Sequence, residues 1–259
     1  MAAERPGPAT DTAASPLPLE DGLGAQLVSE YERRDRTVDE SLYAPHNPSY
    51  LLMSQARERA SLRLLSEAGL FPRAGTPCLE VGYGRLGALG TLLSWGLRQS
   101  DLHGIEMDPR RAAVAKAAVS GADLRIGDAR NMPWADGTFA LVVTWTVFSS
   151  ILDDAARQAV AAEIVRVLKP GGALLYYDFA WNNPRNPNVR GVSRRELRRV
   201  FAGLDGSIRS ATLAPPLARV FAPRSWLVAT ALDSIPFLRS HRVAVLIKRT
   251  QPMVSAPTP

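Results

Sequence analysis

The chain has 259 residues, of which 46% are hydrophobic, as in an ordinary globular protein with one large or two small domains. Its net charge is +6, yet only three of the 31 basic residues are lysines, an arginine bias that we attribute to coding composition. The single cysteine, Cys78, excludes a disulfide framework and a multi-cysteine zinc site, and we expect no bound metal. No apolar segment resembles a signal peptide or spans a bilayer, so a cytoplasmic protein is expected.

Composition predicts the domain organisation. Residues 1–21 and 251–259 are rich in proline and small polar residues and are predicted to be disordered tails. We expect a helical cap over residues 22–75 and one α/β domain over residues 76–250. That domain contains an insertion at residues 214–241, which is longer than a hairpin needs.

Strand and helix patterns alternate between the tails, which favours a doubly wound, mostly parallel sheet. A helix is predicted over residues 51–68, a second after the first strand, and a third from the cap Asp108. A fourth is predicted over residues 154–168, and a fifth after a capping box of Ser193 and Glu196. Seven strands are predicted, at residues 77–81, 102–106, 123–126, 139–146, 173–179, 207–213 and 243–248.

A glycine-rich loop follows the first predicted strand in the stretch CLEVGYGRLG, residues 78–87. Its G-x-G-x-x-G spacing is typical of a dinucleotide-binding turn, and other nucleotide cofactors use similar turns. Glu106 ends the second strand 19 residues after Gly87, where a carboxylate can accept both ribose hydroxyls. The loop and this acid predict a bound nucleotide without saying which one.

Two carboxylates favour S-adenosylmethionine over a dinucleotide. Glu80 directly precedes the glycines, where a fixed negative charge would oppose a pyrophosphate but suits an ammonium and a sulfonium. Asp128 follows the third strand, where it can accept the exocyclic amine of an adenine.

These motifs give the chain a family resemblance. LEVGYG, GIEMD, GDARNMPWADGTFALV and RVLKPGG follow one another in an order similar to that of class I S-adenosylmethionine-dependent methyltransferases, especially their small-molecule (type 11-like) branch. The resemblance implies a seven-stranded Rossmann-like sheet with its last strand antiparallel. It assigns cofactor contacts to Glu80, Gly82, Gly84, Glu106, Met107, Asp128 and Ala129. Where the family has its third glycine, this chain has Leu86, and the glycine comes one residue later.

The acceptor is expected beyond the carboxyl ends of the strands. Trp145 ends the fourth strand and Asp178 the fifth, so both are expected to face the sulfonium or the acceptor. The amides of Asn182 and Asn183 suit a hydroxyl-rich acceptor, and Tyr43 belongs to an upstream segment that often completes such pockets in related enzymes. The candidate bases are Asp178 and His46, although base-assisted transfer and transfer by proximity alone both stay open.

The insertion contains a mostly apolar helical pattern from Trp226 to Pro236. Packing on the sheet, a lid over an apolar acceptor, a homodimer contact and a membrane-surface contact are the alternatives. We predict that Trp226 and Phe237 border the acceptor pocket or its entrance.

Two functional hypotheses follow. The first is a methyltransferase acting on a small-molecule acceptor such as a sugar or a natural product, with O-, N- and C-methylation unresolved. The second is an RNA-binding protein or RNA methyltransferase using the arginine-rich helix at residues 193–203.

Overall fold

The computed structural model describes residues 40–182 and 186–250. It contains one seven-stranded sheet in the order β3-β2-β1-β4-β5-β7-β6. The strands are β1 (Cys78–Val81), β2 (Leu102–Glu106), β3 (Asp123–Ile126), β4 (Phe139–Trp145), β5 (Leu168–Phe179), β6 (Leu204–Leu213) and β7 (Arg239–Lys248). The pairs from β3 across to β5 are parallel, and β7 is antiparallel to both β5 and β6. The predicted fold class is therefore confirmed.

Seven α-helices surround the sheet in the described part of the chain. They are α1 (Pro48–Glu67), α2 (Leu89–Ser94), α3 (Pro109–Ala118), α4 (Asp154–Val167), α5 (Arg194–Val200), α6 (Pro215–Phe221) and α7 (Trp226–Asp233). Five begin at a residue whose side chain accepts a hydrogen bond from the first turn, namely Asn47, Asp108, Asp153, Ser193 and Ser225. No described helix has both the length and the apolar character needed to cross a bilayer.

The two faces of the sheet bury separate cores because successive side chains of a strand point to opposite sides. One core joins Leu79, Val142 and Leu174 to α4 and α5. The other joins Cys78, Val143 and further strand residues to α1, α2 and α3. The sheet is thus covered on both faces, and its carboxyl edge is the place for a ligand.

A third, smaller cluster covers the carboxyl end of β6. Leu52 near the start of α1 packs there with Leu213, the last residue of β6, and with alanines of α6 and α7. The start of α1 and the insertion therefore both lie at the carboxyl edge.

The predicted helical pattern from Trp226 is α7, which Ser225 caps, and the insertion also contains α6 and a 3-10 turn that were not predicted. One sequence prediction needs correction. The capping box is one-sided: Ser193 accepts from the Glu196 N–H, but the Glu196 carboxylate pairs with Arg157 and Arg190. The predicted tails lie outside the described residues, as does the start of the cap, so those domain boundaries stay predictions.

Candidate active site

The glycine loop between β1 and α2 requires its glycines. Gly82, Gly84 and Gly87 have φ of 70°, 55° and 48°, in the left-handed region that other residues avoid. A Cβ on Gly82 would lie 2.8 Å from Val147 Cγ2, and one on Gly87 would lie 2.2 Å from Glu80 Oε1. A Cβ on Gly84 would meet nothing within 4 Å, so the loop is open on that side. Gly87 therefore serves as the third glycine despite its shift by one position.

Glu80 anchors the start of α2. It is fully buried, and its two oxygens accept from the Ala88 N–H at 2.6 Å and the Leu89 N–H at 2.8 Å. Burial raises the pKa of Glu80 to about 8, and the two N–H donors and Arg57 oppose that rise. The carboxyl satisfies N–H groups that a helix start leaves unpaired. The geometry thus favours a loop-holding role for Glu80, and its predicted contact with a cofactor ammonium stays a prediction.

Glu106 links the end of β2 to the glycine loop. Its Oε2 accepts from the Gly84 N–H at 2.8 Å, and its Oε1 accepts from the Asp108 N–H at 2.9 Å. Each carboxylate oxygen has a second lone pair, so ribose hydroxyls could bind without breaking either contact. Half-buried Met107 follows Glu106 directly, as its predicted place beside an adenine requires.

Asp128 lies in the loop after β3, and the Gly127 N–H binds this loop to the Glu106 carbonyl at 2.9 Å. Its carboxylate accepts from the Arg130 N–H at 2.8 Å and pairs with the Arg130 guanidinium at 2.5 Å. An adenine amine would therefore share this carboxylate with Arg130. Ala129 packs against the core beside it.

The end of β4 carries backbone strain. Thr146 has φ of 55°, which is a genuine outlier for a β-branched residue. Its N–H donates to the Tyr177 carbonyl at 2.7 Å, and its side chain is exposed. Preceding it, Trp145 is buried, and its Nε1 has no hydrogen-bond partner among the described residues. The contact of Val147 with Gly82 places this strained turn beside the glycine loop.

The two candidate bases are placed differently. Asp178 is 0% exposed, and its oxygens accept from the Ser149 N–H at 3.0 Å and the Phe179 N–H at 2.8 Å. Burial raises its pKa to about 6. With no exposed surface, this carboxyl holds the turn after β4 and does not face an acceptor, contrary to the expectation from sequence. His46 is exposed and directly precedes Asn47, the cap of α1.

The remaining acceptor candidates are far from the glycine loop in sequence; they are Tyr43, Asn182, Asn183 and Trp226. Tyr43 packs edge-on against Tyr50 with ring centroids 6.1 Å apart, at the start of α1. Exposed Asn182 accepts from the Gly191 N–H at 2.9 Å, which closes its loop, and Asn183 lies outside the described residues. Trp226 is the first residue of α7 and is 41% exposed.

Comparison with known proteins identifies a family whose sequence pattern matches the residues of this site. Residues 78–172 match the family described as "Methyltransferase domain", and this match covers β1 to the start of β5, including the glycine loop, Glu106 and Asp128. The chain therefore contains a methyltransferase domain, and its sheet has the fold of class I S-adenosylmethionine-dependent methyltransferases.

Relatives of the methyltransferase domain differ in their named reactions. The chain is 28% identical over 170 residues to the ubiquinone/menaquinone biosynthesis C-methyltransferase UbiE of Roseobacter denitrificans, covering 61% of this chain and 64% of the relative. It is 24% identical over 183 residues to norajmaline N-methyltransferase of Rauvolfia serpentina, covering 64% and 60%. The matches thus span less than two thirds of these relatives. A solved SAM-dependent methyltransferase of Thermotoga maritima superposes with a TM-score of 0.56 at 20% identity, covering 86% of this chain and 97% of that one.

The methyltransferase domain has groups that fit S-adenosylmethionine. Gly84 leaves one side of the loop open, and Glu106 beside it has free lone pairs for a ribose. Arg57 of α1, whose guanidinium lies over Trp145, adds a cation whose Nε has no hydrogen-bond partner among the described residues. A ligand with hydroxyls at one end and an anionic group at the other would complement the Glu106 carboxylate and this guanidinium.

Sequence reasoning did not single out Arg57. The predicted stripe of α1 contains Leu52, Ala56, Ala60 and Leu64, and position 57 adjoins that stripe. The one feature of the sequence that could have pointed to Arg57 is that this charged residue lies next to an apolar stripe. Only the tertiary structure, in which α1 packs on β6 and β7, shows that the guanidinium reaches Trp145 and Tyr177 at the carboxyl ends of β4 and β5.

The arginine-rich segment forms α5, whose Leu197 and Val200 are buried. Arg194, Arg195, Arg198 and Arg199 are exposed on its outer side. This arrangement suits a solvated surface as well as an anion-binding one, so the RNA hypothesis stays a prediction without support from a described contact.

Proposed function

We propose that this chain transfers a methyl group from S-adenosylmethionine to a small-molecule acceptor. The observation that carries the proposal is the contact of Glu106 with the Gly84 N–H, which brings the predicted ribose carboxylate to the open side of the loop. When bound, the cofactor supplies an electrophilic methyl group on a cationic sulfur. The chain's residues have to bind it, align the acceptor and exclude water.

Cofactor binding is assigned to three elements of the methyltransferase domain. The loop around Gly82 and Gly84 lets the ligand approach the backbone closely. Glu106 is assigned the ribose hydroxyls. Met107, Asp128 and Ala129 are assigned the adenine, with Asp128 shared between its amine and Arg130.

The acceptor is assigned to the carboxyl edge beside Thr146, between the start of α1 and the insertion. A strained residue that keeps its side chain exposed is a recurrent feature of functional sites. Asp178 is buried and already accepts two N–H donors, and His46 is exposed, so alignment without a dedicated base is the favoured mechanism. The names of the two relatives, one a C- and one an N-methyltransferase, leave the methylated atom open.

Two experiments test this function. Isothermal titration calorimetry should detect binding of S-adenosylmethionine and of S-adenosylhomocysteine, and binding of NADH in place of both would contradict the proposal. Incubation with methyl-labelled cofactor and a metabolite extract should then yield a labelled small molecule. Label recovered in RNA instead would favour the alternative function.

A further inference from the structure

Arg57 lies between α1 and the carboxyl ends of the two central strands. The central carbon of its guanidinium is 3.9 Å from the ring centroid of Trp145 and 5.4 Å from that of Tyr177. These two aromatic residues are paired neighbours on β4 and β5. The cation therefore rests on aromatic faces at the edge of the sheet where the ligand is expected.

This guanidinium lacks a carboxylate partner among the described residues. Its Nε is buried without a hydrogen bond to any residue that the structure describes, and the side chain is partly removed from water. The nearby Glu80 carboxyl is already held by the Ala88 and Leu89 N–H groups. Desolvating a cation without an anion is costly, and aromatic faces offset only part of that cost. Such an arrangement is expected where a ligand supplies the missing anion.

The Arg57 guanidinium lies next to the glycine loop that is assigned to the cofactor. Trp145, on which it stacks, leads directly into Thr146 and Val147, and Val147 contacts Gly82 of the glycine loop. The Nε1 of Trp145 is a second donor at the same place without a partner in the described part of the chain. Glu106, which is assigned the ribose, is hydrogen-bonded to the far side of the loop at Gly84. The two unpaired donors thus lie where the amino-acid end of the cofactor would be.

We infer that Arg57 binds the α-carboxylate of S-adenosylmethionine. A guanidinium can form two parallel charge-assisted hydrogen bonds with a carboxylate, which fix the methionine end in one orientation. The inference rests on the proposed function and adds a specificity to it: the site selects adenosyl compounds that carry a carboxylate. It also gives α1, which lies outside the matched residues 78–172, a direct part in cofactor binding.

Calorimetry of the full chain with two ligands tests this assignment. Decarboxylated S-adenosylmethionine keeps the nucleoside, the sulfonium and the amine, and lacks only the carboxylate. The wild-type chain should bind S-adenosylmethionine about tenfold to a hundredfold more tightly than the decarboxylated compound. In Arg57→Met this preference should fall to less than about threefold, while affinity for the decarboxylated compound should change little. Arg57→Lys, which keeps the charge without the fork, should be intermediate.

Arg63→Met is the matched control, because Arg63 is an exposed arginine on the same helix and its loss changes the net charge equally. It should keep the full preference. Wild-type protein that binds neither ligand would contradict the proposed function itself. Wild-type protein that binds both equally would overturn only the role of Arg57, and so would an Arg57→Met variant that keeps the preference or weakens both ligands equally. Thermal unfolding should confirm that the variants are folded. If Arg57→Met does not fold, the affinities of the wild-type chain for the two ligands decide whether the carboxylate is recognised.

Discussion

The Gly84 N–H donates to Glu106 Oε2 at 2.8 Å and so joins the glycine loop after β1 to the end of β2. The same carboxylate accepts from the Asp108 N–H that precedes α3. One side chain therefore orders two of the turns that would surround a bound nucleoside. Its loss should affect both the ligand and the shape of the loop.

Glu106→Ala should weaken S-adenosylmethionine binding by about tenfold to a hundredfold, since hydrogen bonds to a charged group contribute roughly 1.5–3 kcal/mol. Glu106→Gln keeps one acceptor oxygen and should lose less. Calorimetry on folded variants measures both effects. Unchanged affinity in Glu106→Ala would show that another group binds the ribose.

Gly82→Ala and Gly84→Ala form a matched pair that separates folding from binding. Both residues have positive φ, so each alanine should cost about 1–2 kcal/mol in backbone strain. Only the Gly82 Cβ would also collide with Val147, so Gly82→Ala should be the less stable variant in urea unfolding. Gly84→Ala should instead lose cofactor affinity more than stability, because its Cβ occupies the open side of the loop. Normal binding by Gly84→Ala would place the ligand elsewhere.

Thr146→Gly should be more stable than Thr146→Ala by about 1 kcal/mol, since only glycine accepts φ of 55° without strain. At an ordinary position the order is reversed, because glycine has more conformational freedom in the unfolded chain. Urea unfolding of the two variants measures the difference. An alanine variant at least as stable as the glycine variant would show that Thr146 is not strained.

Stability should depend on pH through His241. Burial, with a smaller effect of Arg57, lowers the pKa of this imidazole to about 3. The unfolded chain therefore takes up a proton below about pH 6.5 while the folded chain does not, and the free energy of unfolding falls on acidification by about 1.4 kcal/mol per pH unit. The contribution is fully present above pH 6.5 and is lost progressively between about pH 6.5 and 3.

The variant His241→Gln isolates this contribution. Glu80 and Asp178 titrate in both wild type and variant, so their effects on stability cancel in the difference between the two proteins. Glutamine can still accept from the Thr212 hydroxyl, which lies 2.7 Å from His241 Nδ1. The stability difference between wild type and variant, measured in urea at pH 7, 6 and 5, should shift in favour of the variant as the pH falls. A difference that is constant with pH would mean that the His241 imidazole takes up its proton equally in the folded and unfolded chains, contrary to a lowered pKa.

Trp226→Ala tests the insertion as a wall of the acceptor site. Turnover of the acceptor should fall while cofactor affinity stays within about threefold, roughly 0.6 kcal/mol. Leu227→Ala is the control, because its side chain is 80% exposed on the same helix. If Trp226→Ala unfolds, or loses turnover and cofactor affinity equally, the segment is part of the core and the lid hypothesis fails.

The order of strands and helices, the glycine loop and the acid at the end of β2 could be predicted from sequence. Local patterns determine these features: strands are apolar runs, helices start at capping side chains, and a left-handed turn demands glycine. The seven predicted strands and the cap at Asp108 were confirmed for this reason. Sequence also placed Glu80 and Glu106 next to the loop.

Only the tertiary structure decided what each carboxyl does. Glu80 and Asp178 were predicted to face the ligand or the acceptor. Both are instead buried and accept hydrogen bonds from backbone N–H groups. Buried N–H groups need an acceptor, and the packing brings these two carboxyl groups next to them. Arg57 shows the converse. Its position in a helical pattern says nothing of its partner. The packing of α1 on β6 and β7 sets its guanidinium on Trp145, with no anionic partner among the described residues. Sequence periodicity records which face of an element is apolar, whereas the pairing of charges depends on which faces meet.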